Sequence, residues 1–206
     1  MSAQTTERLP RLLGGVLALD FINTVDPRHA ALRSEYIPDY AAFAEWAAYA
    51  GAVEPPMADR LRRAASTQTR SAKAVHRRAL ALREASYRAI AAHLHSRQAS
   101  GADLGSVSHE IAKARAGERL QHDGRSFSLG HFAPSEPLET PLRAVALSIG
   151  ELLVSVDLSR VRECPGEDGC GWLFLDASRN GGRRWCSMQV CGNRAKVRRH
   201  QAGERA

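Results

Sequence analysis

The chain has 206 residues, 44% hydrophobic and 25% charged, with 29 Lys and Arg against 22 Asp and Glu for a net charge of +7. This composition excludes collagenous, disordered and membrane-embedded classes. The most apolar stretches, 12–25 and 145–156, are broken by Asp20 and Glu151, no run of 18 apolar residues occurs, and the N-terminus lacks a secretory pattern, so the sequence predicts a cytoplasmic protein with no membrane span.

In chain order, residues 1–10 read as a disordered leader. Residues 11–157 read as a helical domain with one hairpin, and 158–206 as a small cysteine module ending in a basic helix, so two units are expected. The segment 12–25 is apolar and ambiguous in type, with glycines at 14 and 15 and an Asp26-Pro27 turn. Tyr40, Phe43, Trp46, Ala47 and Ala50 fall at helical spacing behind a capping Asp39 and ahead of Gly51. Pro55 and Pro56 open a further helix over 57–65, where the first turn has spare donors. From Ser71 to Arg97 the stripe Val75, Ala79, Leu82, Ser86, Ile90 and Leu94 predicts the longest helix, with Arg77, Arg78, Arg83, Arg88 and Arg97 on solvated faces.

Another helix is expected over 103–116. The period then changes to two around Asp123-Gly124, a pair suited to a type I′ hairpin turn. After Pro134, Pro137 and Pro141 a buried helix returns over 142–156, and no internal repeat is visible.

All four cysteines lie within twenty-eight residues, Cys164, Cys170, Cys186 and Cys191, spaced C-x5-C-x15-C-x4-C. Two close pairs joined by a loop deliver four thiolates to a tetrahedral zinc ion; two disulfides are the alternative, disfavoured in a reducing compartment. The glycine-rich stretch 164–170 reads as a knuckle, 172–176 as a strand, Asn180-Gly-Gly182 as a turn and 183–186 as the partner strand. Ser187 then caps a helix carrying Cys191 and running to about Gln201. Knuckle, hairpin and helix in that order describe a treble-clef-like finger, too short to be stable without metal, which supplies on the order of 10 kcal/mol in zinc-finger peptides. One structural zinc ion is expected, its shell closed by four thiolates.

Trp172-Leu-Phe-Leu-Asp-Ala-Ser-Arg-Asn180, Arg183-Arg-Trp-Cys-Ser-Met188 and Cys191-Gly-Asn-Arg194-Ala-Lys196 together resemble the CGNR zinc finger. Leu19-Asp-Phe-Ile-Asn-Thr24 resembles the opening motif of the ABATE domain that accompanies this finger in bacterial proteins described as stress-induced transcription regulators. The resemblance implies a mainly helical N-terminal domain, the four cysteines as zinc ligands, and DNA binding.

Between Ala177 and His200 stand Arg179, Arg183, Arg184, Arg194, Lys196, Arg198 and Arg199 with no acidic residue, an electrostatic footprint for a polyanion, with a solvated basic tail as the bland alternative. Double-stranded DNA is the leading partner; RNA, or an acidic protein surface met by a zinc-stabilised interaction module, are the others. Arg194 is also a candidate structural residue, paired with Asp176 or with knuckle carbonyls. Trp172, Phe174 and Trp185 read as the finger's own core in preference to stacking platforms for bases.

Asp20 and Asn23, three apart, could share a helix face and line a pocket for a small-molecule effector, or could cap and satisfy backbone groups. The eight histidines form no ligand pair, and no nucleophile elbow, P-loop or dinucleotide fingerprint is present, so no enzyme is predicted. A sequence-specific regulator with one finger is expected to work as a homodimer.

Overall fold

The computed structural model describes residues 9–131, 137–166 and 169–203. Most of the leader expected over 1–10, together with Pro134, Glu167 and Asp168, lies outside these residues. The chain is mainly α, with elements in the order α1 (Leu17–Ile22), β1 (Val25–Asp26), β2 (Ser34–Glu35), α2 (Tyr40–Tyr49), α3 (Pro55–Thr67), α4 (Thr69–Leu94), α5 (Gly101–Ala116), β3 (Glu118–His122), β4 (Phe127–His131), α6 (Thr140–Val154), β5 (Val161–Glu163), β6 (Leu173–Leu175) and α7 (Asn193–Gly203). No described helix is long and apolar enough to cross a membrane.

The apolar periods in the sequence become one core. α1 buries Leu19, Phe21 and Ile22 against Phe43 and Trp46 of α2, the Phe21 ring lying 5.9 Å and 5.6 Å from theirs. Asp39 caps α2 by accepting from the Ala42 N–H at 2.8 Å, and Pro55 and Pro56 occupy the first turn of α3 as expected. α4, at 26 residues, is the spine: Val75, Ala79, Leu82, Ser86 and Ile90 are buried along one side, where α1, α2, α5 and α6 meet it.

The arginines of α4 do not all face water. Arg83 is buried, donating to both Glu35 carboxylate oxygens at 2.7 Å, to Glu84 at 2.8 Å and to the Thr24 hydroxyl at 3.0 Å. Arg78 forks onto Glu110 of α5 and also reaches Glu139. The spacing that places Arg83 beside the stripe points it at the pair β1–β2, whose two-residue strands carry too little pattern to be anticipated. Arg77, Arg88 and Arg97 are exposed.

β3 and β4 pair antiparallel with Leu120 opposite Leu129 and His122 opposite Phe127, as the alternation predicts. The turn differs from expectation. Four residues, 123–126, separate the last pair, and Gly124 has φ +91° while Asp123 does not lie in the left-handed region, so this is not a type I′ turn. Asp123 instead accepts from the Arg125 and Ser126 N–H groups, both at 2.9 Å. Leu120, Phe127 and Leu129 on one face of the ribbon are all exposed.

The C-terminal sheet also differs. β6 pairs with β5, which precedes the knuckle, and residues 183–186 are not a strand. The knuckle is therefore the connection between β5 and β6, and Val161 and Leu173 of this hairpin belong to the main core.

Candidate metal centre and basic helix

Cys164 follows β5, and its N–H donates to the Trp172 carbonyl at 2.8 Å while its carbonyl accepts from Gly171 at 3.2 Å, closing the knuckle. Gly169 and Gly171 have φ of +74° and +63°, which lets the backbone curl around the sulfurs. The second pair of cysteines comes from the turn after 183–185 and from one π-helical turn, Met188–Gly192, whose Ser187 cap accepts from the Val190 N–H at 3.3 Å.

These backbone turns bring all four Sγ atoms within 4.8 Å of one another, each residue buried. Cys170 and Cys186 are separated by 3.7 Å, Cys186 and Cys191 by 3.6 Å. Zn–S bonds of about 2.3 Å give a tetrahedron with S···S edges of about 3.8 Å, whereas a disulfide needs about 2.0 Å. All four are separate thiols with the spacing of a zinc shell.

Packed this closely, one thiol that ionises disfavours the ionisation of its neighbours. A hydrogen bond from Cys170, then one from Cys186, holds the Cys164 thiol far down, and the hydrogen bond to Cys164 pushes both Cys170 and Cys186 up. Four such groups become thiolates together only around a cation. The centre is a site for one structural zinc ion, which when bound crosslinks β5, β6 and the base of α7.

The rest of the finger's core is Trp172 and Phe174, buried with the cysteines, and partly buried Trp185 and Val190. The Trp172 indole donates to the Val25 carbonyl at 2.9 Å, and Trp172 and Phe174 are both buried, so neither lies on the outer surface where an unpaired base could stack.

Asp20 and Asn23 do not line a common pocket. Asp20 accepts from the Gly14 N–H at 2.7 Å. A Cβ at Gly14 would lie 2.7 Å from that of Leu19, so only glycine fits there. Asn23 donates to the Leu173 carbonyl at 2.7 Å and accepts from its N–H at 3.0 Å. The apolar motif containing both residues is thus the dock for the finger. Its neighbours complete that dock: the Arg28 and His29 N–H groups donate to the Cys170 and Gly169 carbonyls, and Leu175 donates to the Gly14 carbonyl at 2.8 Å. Same-face spacing picks out Asp20 and Asn23 as a pair, but Asp20 serves Gly14, six residues away, and Asn23 a main chain 150 residues away, which leaves no sequence signal.

The seven cations separate into two groups. Arg183 is a structural residue, contrary to its expected place in the nucleic-acid set. Its guanidinium lies 4.4 Å over the Phe174 ring and donates to the carbonyls of Trp185, Cys186, Leu175 and Leu13, while its N–H donates to the fully buried Asp176 carboxylate. A cation surrounded by carbonyl oxygens is spent on the fold. Arg184 is exposed and lies 4.9 Å over Trp185, and Arg179 is exposed on the loop before it. On α7, Ala195 turns inward while Arg194, Lys196, Arg198 and Arg199 are exposed.

Sequence reasoning also missed a polar cluster on the residue beside the first ligand. The Glu163 carboxylate takes hydrogen bonds from the Tyr87 hydroxyl at 2.6 Å and accepts His29 and His95, each at 2.8 Å, tying α4 and the loop after β1 to the knuckle. Burial opposes its charge, yet these hydrogen bonds hold its carboxyl below the usual range.

A family model for the CGNR zinc finger matches residues 160–203, and one for the ABATE family, described as "Putative stress-induced transcription regulator", matches residues 15–156. The chain belongs to the ABATE family. No curated protein matches it. The geometry explains the finger's signature: Cys191 is a ligand, a Cβ on Gly192 would crowd Met188 and come within 3.2 Å of the Trp185 ring, the Asn193 amide donates to the Gln189 carbonyl at 3.1 Å, and Arg194 is exposed in the first turn of α7. The ABATE opening motif, Leu19–Thr24, supplies the core of α1 and the finger's dock.

Proposed function

We propose that this ABATE protein is a cytoplasmic transcription regulator that sets α7 against double-stranded DNA, with the zinc finger as the rigid mount and the helical domain as the sensing or dimerising part. The observation that carries this reading is the exposed pair Arg194 and Arg198 on one face, with exposed Lys196 and Arg199 to the side, on a helix whose base is fixed by Cys186 and Cys191. Cations held on a rigid helix can meet phosphates at low ordering cost and reach base edges in the major groove. Arg179 and Arg184 extend the positive face; Arg183 does not. A zinc shell closed by four thiolates leaves no position for water, which favours binding over catalysis. One finger with few base-reading side chains binds weakly, so a homodimer fits a sequence-specific regulator, and light scattering showing a strict monomer at high concentration would count against it.

The deciding experiment passes zinc-loaded protein over a pool of genomic duplex fragments through a salt series, beside the double variant Arg198→Ala, Arg199→Ala. Enrichment of particular fragments, lost in the variant, supports the reading. Uniform binding that vanishes near physiological salt reduces α7 to generic electrostatics. Exposed Met188 and Val197 on this same surface favour, as the second reading, an interaction module that meets an acidic protein surface; such a complex would resist salt more than DNA does. Single-stranded RNA has less support, because the finger's aromatic rings are occupied.

A further inference from the structure

α3 and α4 meet at Gln68, and the corner between them is strongly basic. From Arg60 to Arg78 the chain has seven Lys and Arg and no acidic residue, as many cations as it carries between Ala177 and His200. Arg60, Arg62, Arg63, Arg70, Lys73 and Arg77 are exposed. The last three fall three and four residues apart, so they form one row on the outer side of α4, opposite buried Ala72, Val75 and Ala79. Neighbours at this spacing have Cβ atoms about 5–6 Å apart.

Further along α4 the arginines have internal partners: Arg78, Arg83 and Arg88 each meet a carboxylate. Among the described residues Arg60, Arg63, Arg70, Lys73 and Arg77 form no ion pair, and Arg62 meets only Asp59, at 3.7 Å. Like charges in a row repel. Arg70 also stands in the first turn of α4, which has no acidic residue and where the helix dipole opposes a cation. The row therefore costs stability, which a polyanion from outside would offset. The residues between the cations narrow its chemistry. Ser66, Thr67, Gln68, Thr69 and Ser71 are exposed, and hydroxyl and amide groups beside Lys and Arg are the usual donors to phosphate oxygens. No large apolar side chain is exposed between residues 60 and 77, so the corner has nothing to sink into lipid and no anchor for a protein interface. We infer that the α3–α4 corner holds the phosphate backbone of duplex DNA without reading its sequence, so the helical domain grips the duplex alongside α7. The choice of DNA as the polyanion rests on the reading of α7; the basic row does not.

The test is the triple variant Arg70→Gln, Lys73→Gln, Arg77→Gln, in which glutamine keeps the helix propensity and removes the charge. The zinc-loaded full chain is titrated with a short duplex of scrambled sequence through a salt series, beside wild type and the double variant Arg198→Ala, Arg199→Ala. The triple variant should bind about tenfold or more weakly at low salt, with its salt slope reduced by about three. It should retain one zinc per chain and melt no lower than wild type. Unchanged affinity and slope in the triple variant would overturn the proposal, whatever the α7 variant does. A lower melting temperature would also overturn it, by assigning these side chains to the fold. If the α7 variant binds like wild type while the triple variant weakens, the reading of α7 fails and the corner stands. Loss of binding to phosphatidylserine vesicles with duplex binding unchanged would give the surface to a membrane instead. A wild type that binds no duplex at low salt overturns both readings.

Discussion

Asn23 pairs with the main chain of Leu173 in both directions, its amide donating to the carbonyl at 2.7 Å and accepting from the N–H at 3.0 Å, so one side chain acts as a further strand on β6. Asn23→Ala leaves two buried main-chain groups unpaired. Urea unfolding should show a loss of about 3 kcal/mol. Asn23→Asp keeps the acceptor but sets a carboxylate against the Leu173 carbonyl, and should be no better than Ala. Equal stability of wild type and Asn23→Ala would remove this residue from the dock.

Removal of zinc by a strong chelator is expected to disorder the finger while leaving most of the helical core. The core of α1–α6 is built mostly from its own apolar residues, with Val161 and Leu173 of the β5–β6 hairpin added, whereas the finger's second cluster is centred on the four cysteines. The readout is specific, because Trp46 is in the helical core and Trp172 and Trp185 are in the finger. Near-ultraviolet dichroism should lose the contribution of the latter two, with far-ultraviolet loss confined to about the length of α7. A cooperative collapse of all helices on chelation would contradict this.

Arg183 and Arg198 should separate cleanly. Arg183→Ala leaves buried carbonyls without their donor and should destabilise by about 2–3 kcal/mol and weaken zinc retention. Lysine should not restore it, because a single ammonium cannot reproduce the fork. Arg198→Ala should leave stability within about 0.5 kcal/mol while lowering DNA affinity and reducing the salt slope by about one. Thermal unfolding and binding titrations on the two proteins give opposite patterns if the division is right.

Burial, the largest influence on Asp20, pushes its carboxyl from 3.8 up to about 6, against main-chain hydrogen bonds from Gly14 and Leu13 that favour the charge. The folded chain therefore holds this proton more tightly than the unfolded chain. The resulting stability is full below about pH 3.8 and is lost as pH rises to about 6, a change of about 3 kcal/mol. Asp20→Asn keeps an acceptor for Gly14 and removes the titration. Its stability relative to wild type should rise from pH 4 to pH 7 by up to that amount, and a constant difference between the two proteins would refute the assignment.

Elements long enough to carry a period were legible. The Val75 to Ile90 stripe, the Asp39 cap and the alternation around Asp123 each depend on neighbours within a few residues, and each appears where expected. The zinc set was legible because thiolates at such spacing have few other uses. What escaped were features whose partner is remote. β1 and β2 have two residues each, too few for a pattern, and their Glu35 turned a presumed solvated Arg83 into a buried one. The strand predicted over 183–186 failed because the Arg183 side chain takes the nearby carbonyls and Asp176 takes its N–H, leaving β6 to pair with β5. Arg183 and Arg198 look alike in sequence; only the positions of the surrounding carbonyls distinguish them.

The dock joins segments 150 and more residues apart: Gly14 and Asn23 await Leu175 and Leu173, and Leu13 awaits Arg183. On the ribosome α1 emerges with these groups exposed and must wait for at least another 150 residues to be translated before they are satisfied. Contacts so distant along the chain are slow to close. Until the last cysteine is made and a zinc ion is captured, the newborn protein carries an open seam, and metal supply at that moment governs how long the seam stays available to chaperones and proteases.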